Sequence, residues 1–256
     1  MNIDFSHKIV LITGGTGKLG KSLVNHFSQQ GATVIYTTRN LKRAKVFGDN
    51  PNAIPFECDL QKEKNIKDLA KYILNKFKRI DIIINNAAVD IDQSFLSTTS
   101  HQFESLIKTN LMGPYYVCKY LIGMMIKQKK GKIINISSVL SNRTVSGAME
   151  YSMSKSGLDS MSRSLAVEYG QYNISTNSLN IGVMPGMLNK VDEIVGTRSI
   201  DENFYKDWSV KKGRVPLRRR GTYEEYTQAV MFLASDQCNF INGASIPIDG
   251  GVLALL

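Results

Sequence analysis

The sequence predicts an α/β fold, a doubly wound parallel sheet with helices on both faces, on three observations. Seven short runs rich in β-branched residues recur along the 256 residues, stretches with apolar residues at helical spacing lie between them, and a glycine-rich turn joins the first run to the first such stretch. In sheets of this kind ligands bind outside the carboxyl ends of the strands.

Taken in order, the strand-like runs are KIVLIT, ATVIYT, AIPFEC, DIIINN, GKIINISS, NISTNSL and ASIPI, and the helices fall near 18–30, 63–78, 101–128, 151–170 and 223–235. The first turn carries Gly14, Gly15, Gly17 and Gly20, and Gly15-x-Gly17-x-x-Gly20 has the spacing of a dinucleotide-binding turn. One glycine serves the tight turn, one the close approach of backbone to a pyrophosphate, and one the packing of helix on strand. Amides at the helix N-terminus then face the phosphates. Asn85, Asn86, Ser137 and Ser138 end the fourth and fifth runs and belong in the same crevice.

Composition narrows the function. With 43% hydrophobic residues and no Pro/Gly/Ser-rich linker or repeat, one Rossmann-type domain over 1–256 is expected. The apolar runs are too short to span a bilayer and no secretory leader pattern is present, so a cytoplasmic protein without membrane contact is expected. Cys58, Cys118 and Cys238 are too few and scattered for a disulfide framework or a clustered zinc site, His7, His26 and His101 are scattered too, and no metal is expected. The net charge of +10 is spread along the chain without an aromatic-interleaved signature, which argues against nucleic acid; an anionic cofactor or substrate suits it, and a solubilising surface accounts better for most of these charges.

Tyr151 and Lys155 stand four residues apart in EYSMSKSGLDSMSRSLAVEYG, a spacing that puts both on one helix face. A neighbouring ammonium favours the phenolate and brings a phenol toward use as a general acid or base.

These features together resemble the short-chain dehydrogenase/reductase family over nearly the whole chain. The matching pieces are TGGTGKLG, CDL at 58–60, NNAA at 85–88, Asn110 in KTNLMG, Ser138 in INISS, YSMSK at 151–155 and INGASIPIDGG near the end. The resemblance implies hydride transfer between a nicotinamide cofactor and a carbonyl/alcohol pair. Tyr151 would be the general acid or base, and Lys155 would lower its pKa and hold the nicotinamide ribose. Ser138 would bond the substrate oxygen, and Asn110 would help hold a water linking Lys155 to solvent. Gly14, Gly15, Thr16, Gly17, Lys18, Leu19 and Gly20 would form the phosphate turn, Asp59 and Leu60 would contact adenine, and Asn86, Ala87 and Ala88 would run beneath the adenosine ribose. A homotetramer or homodimer is also implied.

The second strand decides the cofactor's phosphate. An NAD site wants a carboxylate at its end, whereas Arg there accommodates a 2′-phosphate. Thr37, Thr38, Arg39 and Asn40 offer no acid, so Arg39, assisted by Lys18 or Lys42, favours NADP(H), with NAD(H) as the alternative.

The chain departs from the family pattern at three places. Lys18 stands where the commoner short members have their middle glycine, a form of the turn seen in nucleotide-sugar-modifying members. Ala88 stands where glycine is usual. The family's Pro-Gly pair falls on Ile181-Gly182 by strand register, or on Pro185-Gly186 by residue identity. The first alignment is preferred, with Val183 completing the nicotinamide segment.

A substrate lid is expected over about 183–215, with Phe204, Tyr205 and Trp208 as an aromatic wall and Lys206, Lys211, Lys212 and Arg214 as a cationic rim. A 3-oxoacyl thioester and a sugar or nucleotide sugar both suit it. A non-catalytic dinucleotide-binding regulator is the competing class, against which the retained Ser138, Tyr151, Lys155 and Asn110 argue.

Overall fold

A computed structural model describes residues 3–91, 93–184 and 211–255. Most of the expected lid, with Phe204, Tyr205, Lys206, Trp208 and the Pro185-Gly186 pair, lies outside them; Lys211, Lys212 and Arg214 are described and exposed.

The strands are β1 (Ile9–Ile12), β2 (Thr33–Thr38), β3 (Ala53–Glu57), β4 (Ile82–Asn85), β5 (Gly131–Ser138), β6 (Ile174–Ile181) and β7 (Ser245–Ile248). They pair in the order β3-β2-β1-β4-β5-β6-β7, each neighbour parallel to the next. Order reverses between β1 and β4, which opens a crevice at their carboxyl ends. Pro55 and Pro247 lie in β3 and β7, the two edges, where a missing N–H costs least and discourages further pairing.

Side chains alternate across the sheet. Val10 and Ile12 point to a core shared with α1 (Lys18–Gln29), while Ile9 and Leu11 point to one shared with α2 (Glu63–Phe77). The remaining helices are α3 (Ser100–Ile107), α4 (Gly113–Gln128), α5 (Met149–Tyr169) and α6 (Tyr223–Ala234).

The single helix expected at 101–128 is divided. A π turn over Lys108–Met112 separates α3 from α4, and the Gly113 amide bonds to the Lys108 carbonyl. Pro114 has no N–H to return to the Asn110 carbonyl four residues earlier, so the regular ladder cannot continue through this point.

Candidate active site

A cavity of about 580 Å³ runs along the carboxyl ends of the strands and joins most of the expected residues. At one end it is lined by Lys18, Arg39 and Arg43, in the middle by Gly14, Gly17, Asp59, Leu60 and Asn86 to Ala88, and at the other end by Ser137, Tyr151, Lys155 and Ile181.

The glycine turn divides its work differently from the spacing argument. Gly14 takes φ +66°, and a Cβ there would meet Ala87 Cα at 2.9 Å. Gly15, first in that spacing and expected to serve the tight turn, packs on β2, where a Cβ would lie 2.5 Å from Tyr36 Cβ. Gly20 seats α1 on the turn, since its Cβ would come 2.3 Å from the Gly14 carbonyl. Gly17 is the N-cap of α1 and faces the cavity together with Thr16 and Leu19; no side chain caps this terminus and no acid lies in its first turn. An uncapped helix start of this kind, opening on a cavity that carries Lys18, fits the pyrophosphate of a dinucleotide.

Thr13 and Thr37 organise the turn, and sequence reasoning assigned them no part in it. The Asn86 and Ala87 amides donate to Thr13 Oγ1 at 2.9 and 3.0 Å, while Asn86 Nδ2 donates to the Thr13 carbonyl at 2.9 Å. The Gly14 amide donates to Thr37 Oγ1 at 3.0 Å. Lys42, expected beside Arg39, does not line the cavity; Arg43 does. Asn40 caps a 3₁₀ turn over Leu41–Phe47 through the Lys42 amide, and that turn sets which basic side chain faces inward.

At the catalytic end, Ser138 closes β5 and its Oγ accepts the Leu140 amide at 3.1 Å. Tyr151 and Lys155 lie on α5, buried to 6% and 2% exposure. Lys155 Nζ donates to the Ile136 carbonyl at 2.7 Å and sits 5.5 Å from the centroid of the Tyr151 ring. Burial pushes the Tyr151 phenol well above its ordinary value, Asp90 adds to the rise, and a hydrogen bond with Ser138 opposes it. The expected lowering of this pKa by Lys155 is not among these effects, and desolvation dominates in this geometry. Burial brings Lys155 down to about 8, against the opposing carboxylates of Asp159 and Asp90.

Asn110 occupies the π turn, but its side chain is committed elsewhere. Oδ1 accepts the Val89 amide at 2.8 Å, and Nδ2 donates to the Val89 carbonyl at 2.8 Å and to Ser154 Oγ at 3.2 Å. This side chain ties the segment after β4 to α5, which leaves the backbone carbonyl as the group available to a water.

Past β6, Ile181 pairs with Ser138 and lines the cavity. Gly182 and Val183 do not reach it. A Cβ on Gly182 would meet Asp249 Cα at 2.7 Å, the Val183 carbonyl accepts from the Tyr226 hydroxyl at 3.2 Å, and Met184 faces the cavity instead. Among the described residues no group of three or more His, Cys, Asp or Glu could hold a metal ion, and no helix is long and apolar enough to cross a membrane.

Comparison with known proteins gives the family. The family described as enoyl-(acyl carrier protein) reductase matches residues 17–253. The chain is 34% identical over 247 residues to a 3-oxoacyl-(acyl-carrier-protein) reductase FabG of Buchnera aphidicola subsp. Schizaphis graminum, covering 96% of this chain and 97% of that one. It is 32% identical to the same enzyme of Aquifex aeolicus, covering 98% and 100%. Among solved structures, a gluconate 5-dehydrogenase of Burkholderia cenocepacia in complex with NADP and tartrate superposes with a TM-score of 0.89 at 26% identity, over 99% of this chain and 98% of that one. The chain belongs to the short-chain dehydrogenase/reductase family and is an NAD(P)-dependent oxidoreductase that interconverts a carbonyl and an alcohol.

Proposed function

We propose that the protein reduces the 3-oxo group of an acyl thioester with NADPH, using Tyr151 as the general acid. The observation that carries this reading is one cavity with Ser137, Tyr151 and Lys155 at one end and Arg39 and Arg43 at the other, where β2 ends without a carboxylate.

A bound nicotinamide dinucleotide supplies the hydride. Gly17 and the first amides of α1 would hold its pyrophosphate with Lys18 alongside, Arg39 and Arg43 would hold the 2′-phosphate, Asp59, Leu60 and Asn86 to Ala88 would hold the adenosine, and Lys155 would hold the nicotinamide ribose, Ile181 lining the same end of the cavity. Ser138 Oγ accepts from the Leu140 amide and is hydrogen-bonded to Tyr151; with a substrate oxygen between them, its proton would go to that oxygen. Tyr151 is held protonated by burial, the state needed to give a proton to a developing alkoxide. The Lys155 ammonium would stabilise the phenolate that results, and a proton from solvent would reach it through Lys155 and a water held by the Asn110 backbone carbonyl.

The thioester is favoured by the names of the relatives with 34% and 32% identity. Exposed Lys211, Lys212 and Arg214 suit an anionic carrier. A sugar acid is the second reading, supported by the likeness to the gluconate 5-dehydrogenase. Tyr115 on α4 and Met153 and Val167 on α5 are apolar and 49%, 52% and 87% exposed, which supports a homodimer or homotetramer through these helices. Three unpaired cysteines agree with a cytoplasmic setting.

The test is oxidation of NADPH and NADH, in parallel, with a 3-oxoacyl-pantetheine thioester, the matching enoyl thioester, a keto-gluconate and a nucleotide keto-sugar. Turnover with NADPH and the 3-oxoacyl thioester is expected. Preference for NADH, or turnover with the enoyl thioester alone, would overturn the reading.

A further inference from the structure

The amino ends of β5 and β6 lie at the opposite end of the sheet from the active-site cavity, about 20 Å from Ser138 along β5. A second, smaller cavity of about 60 Å³ opens there, and its polar side chains are those of Lys130, Lys132, Asn173, Ser175, Asn239 and Asn242. Lys132 and Ser175 are register partners on the two parallel strands, 6% and 8% exposed. Lys132 shares its face of the sheet with Ile134, two residues on, which packs in the core that α6 covers.

Lys132 brings its charge into this place without a carboxylate of its own. Its Nζ donates to the Cys238 carbonyl, just past α6, which uses one of the three ammonium protons. The carboxylate acting on it is Asp236, and Asp236 is already bridged by Lys8 at 3.1 Å and by Lys130 at 2.9 Å. Three lysines against one carboxylate leave this corner with surplus positive charge. Burial, with Lys130 and Lys8 adding to it, brings Lys132 below its ordinary pKa against the pull of Cys238 and Asp236. Beside it across the strand pair, Ser175 Oγ is buried without a partner. The asparagines form walls: Asn239 Nδ2 donates to the Asp236 carbonyl at 2.6 Å, while Asn242 accepts the Thr176 amide at 2.9 Å and donates to the Ala166 carbonyl at 3.1 Å. An ammonium and a hydroxyl buried side by side with protons unspent cost free energy unless an acceptor meets them.

We infer that this cavity is an anion site, which takes a free tetrahedral oxyanion of the phosphate or sulfate class as the counter-charge to Lys132, with Ser175 Oγ and Lys130 as further donors. Ammonium and hydroxyl protons and a surplus of positive charge match an ion that only accepts hydrogen bonds. The volume exceeds that of a single water and suffices for one such ion. Seated there, the ion joins the starts of β5 and β6 to the turn after α6, which Lys132 already touches through Cys238. The length of the sheet separates it from the dinucleotide cavity, so the site does not depend on the reaction proposed above.

The test follows backbone amide signals of the ¹⁵N-labelled full chain by NMR while sodium phosphate, sodium sulfate and sodium chloride are titrated separately and compared at equal ionic strength. Shifts at Gly131, Lys132, Ser175 and Cys238 that saturate below about 10 mM phosphate or sulfate are expected, with chloride at least about tenfold weaker. Lys132→Met should weaken the oxyanion affinity at these amides by at least about tenfold. Ser175→Ala should weaken it by about threefold, and it carries the test if the Met variant fails to fold. Shifts at Gly17 to Leu19 report an ion in the dinucleotide cavity and should persist in both variants. No saturation at the four amides, equal affinity in the wild type and the folded variants, or saturation by chloride at the same concentration would overturn the assignment.

Discussion

Against the face of the sheet covered by α1 and α6, Val10, Ile12, Val34 and Ile84 meet Leu23, Phe27 and Val230, a packing made almost entirely of hydrocarbon. Under α5, on the opposite face, the sheet is joined to its helix by a chain of buried hydrogen bonds. Asn85 Nδ2 donates to Asn135 Oδ1 at 2.8 Å, Asn135 Nδ2 donates to Ser162 Oγ at 2.7 Å, and Ser162 Oγ lies 2.7 Å from Ser178 Oγ. Hydrocarbon packing is non-directional and roughly proportional to buried area, so it stabilises the fold while tolerating small shifts. Hydrogen bonds have fixed lengths and angles, so the polar chain holds α5, and with it Tyr151 and Lys155, in one register against β5. The contrast assigns stability mainly to the hydrocarbon packing and geometry mainly to the polar chain under α5.

Substitutions can break that contrast. The largest effect is expected from Leu23→Ala on the apolar face, which should cost about 2–5 kcal/mol in denaturant unfolding while the folded fraction keeps its kcat. Next, Asn135→Ala should cost about 1–3 kcal/mol because Asn85 and Ser162 lose their partner, and here kcat should fall as well. If both variants lost stability alone, the polar chain would have no special bearing on geometry.

Lys155→Met sharpens the comparison with pH. Burial lowers Lys155 from 10.5 to about 8, so the unfolded chain binds more protons than the folded one between those values and its burial penalty is fully present below about 8. The variant should therefore melt higher than the wild type at pH 7, by about 1–3 kcal/mol, lose that advantage between pH 8 and 10.5, and show no turnover. An unchanged or lower melting temperature at pH 7 would mean that the buried ammonium is not a cost to folding. The smallest effect is expected at the far end of the cavity. Arg39→Ala should reduce the preference for NADPH over NADH by about tenfold in kcat/KM, Arg43 retaining part of the contact.

The sequence made much of this readable, for reasons tied to particular residues. The alternation of β-branched runs with amphipathic stretches is a direct imprint of strands and helices packed in layers, and Tyr151 and Lys155 needed only helical periodicity to share a face. Less accessible were features that depend on one residue acting at a distance. The π turn at Asn110 follows from Pro114 four residues later, a signal present in the chain but hidden inside a good helical pattern. Which of Lys42 and Arg43 faces the cavity depends on the 3₁₀ phase set by Asn40. The pairing of Asp159 with Asn180 crosses from α5 to β6, and neither residue carries a local sign of the other.

Tyr151 as the proton donor is the centre of the proposed reaction. The most direct measurement is single-turnover oxidation of NADPH by a 3-oxoacyl-pantetheine thioester in the wild type and in Tyr151→Phe, with NADPH affinity measured on both by fluorescence. A loss of at least about a hundredfold in the rate at nearly equal nucleotide affinity is expected. A Phe variant that turns over at the wild-type rate would contradict it.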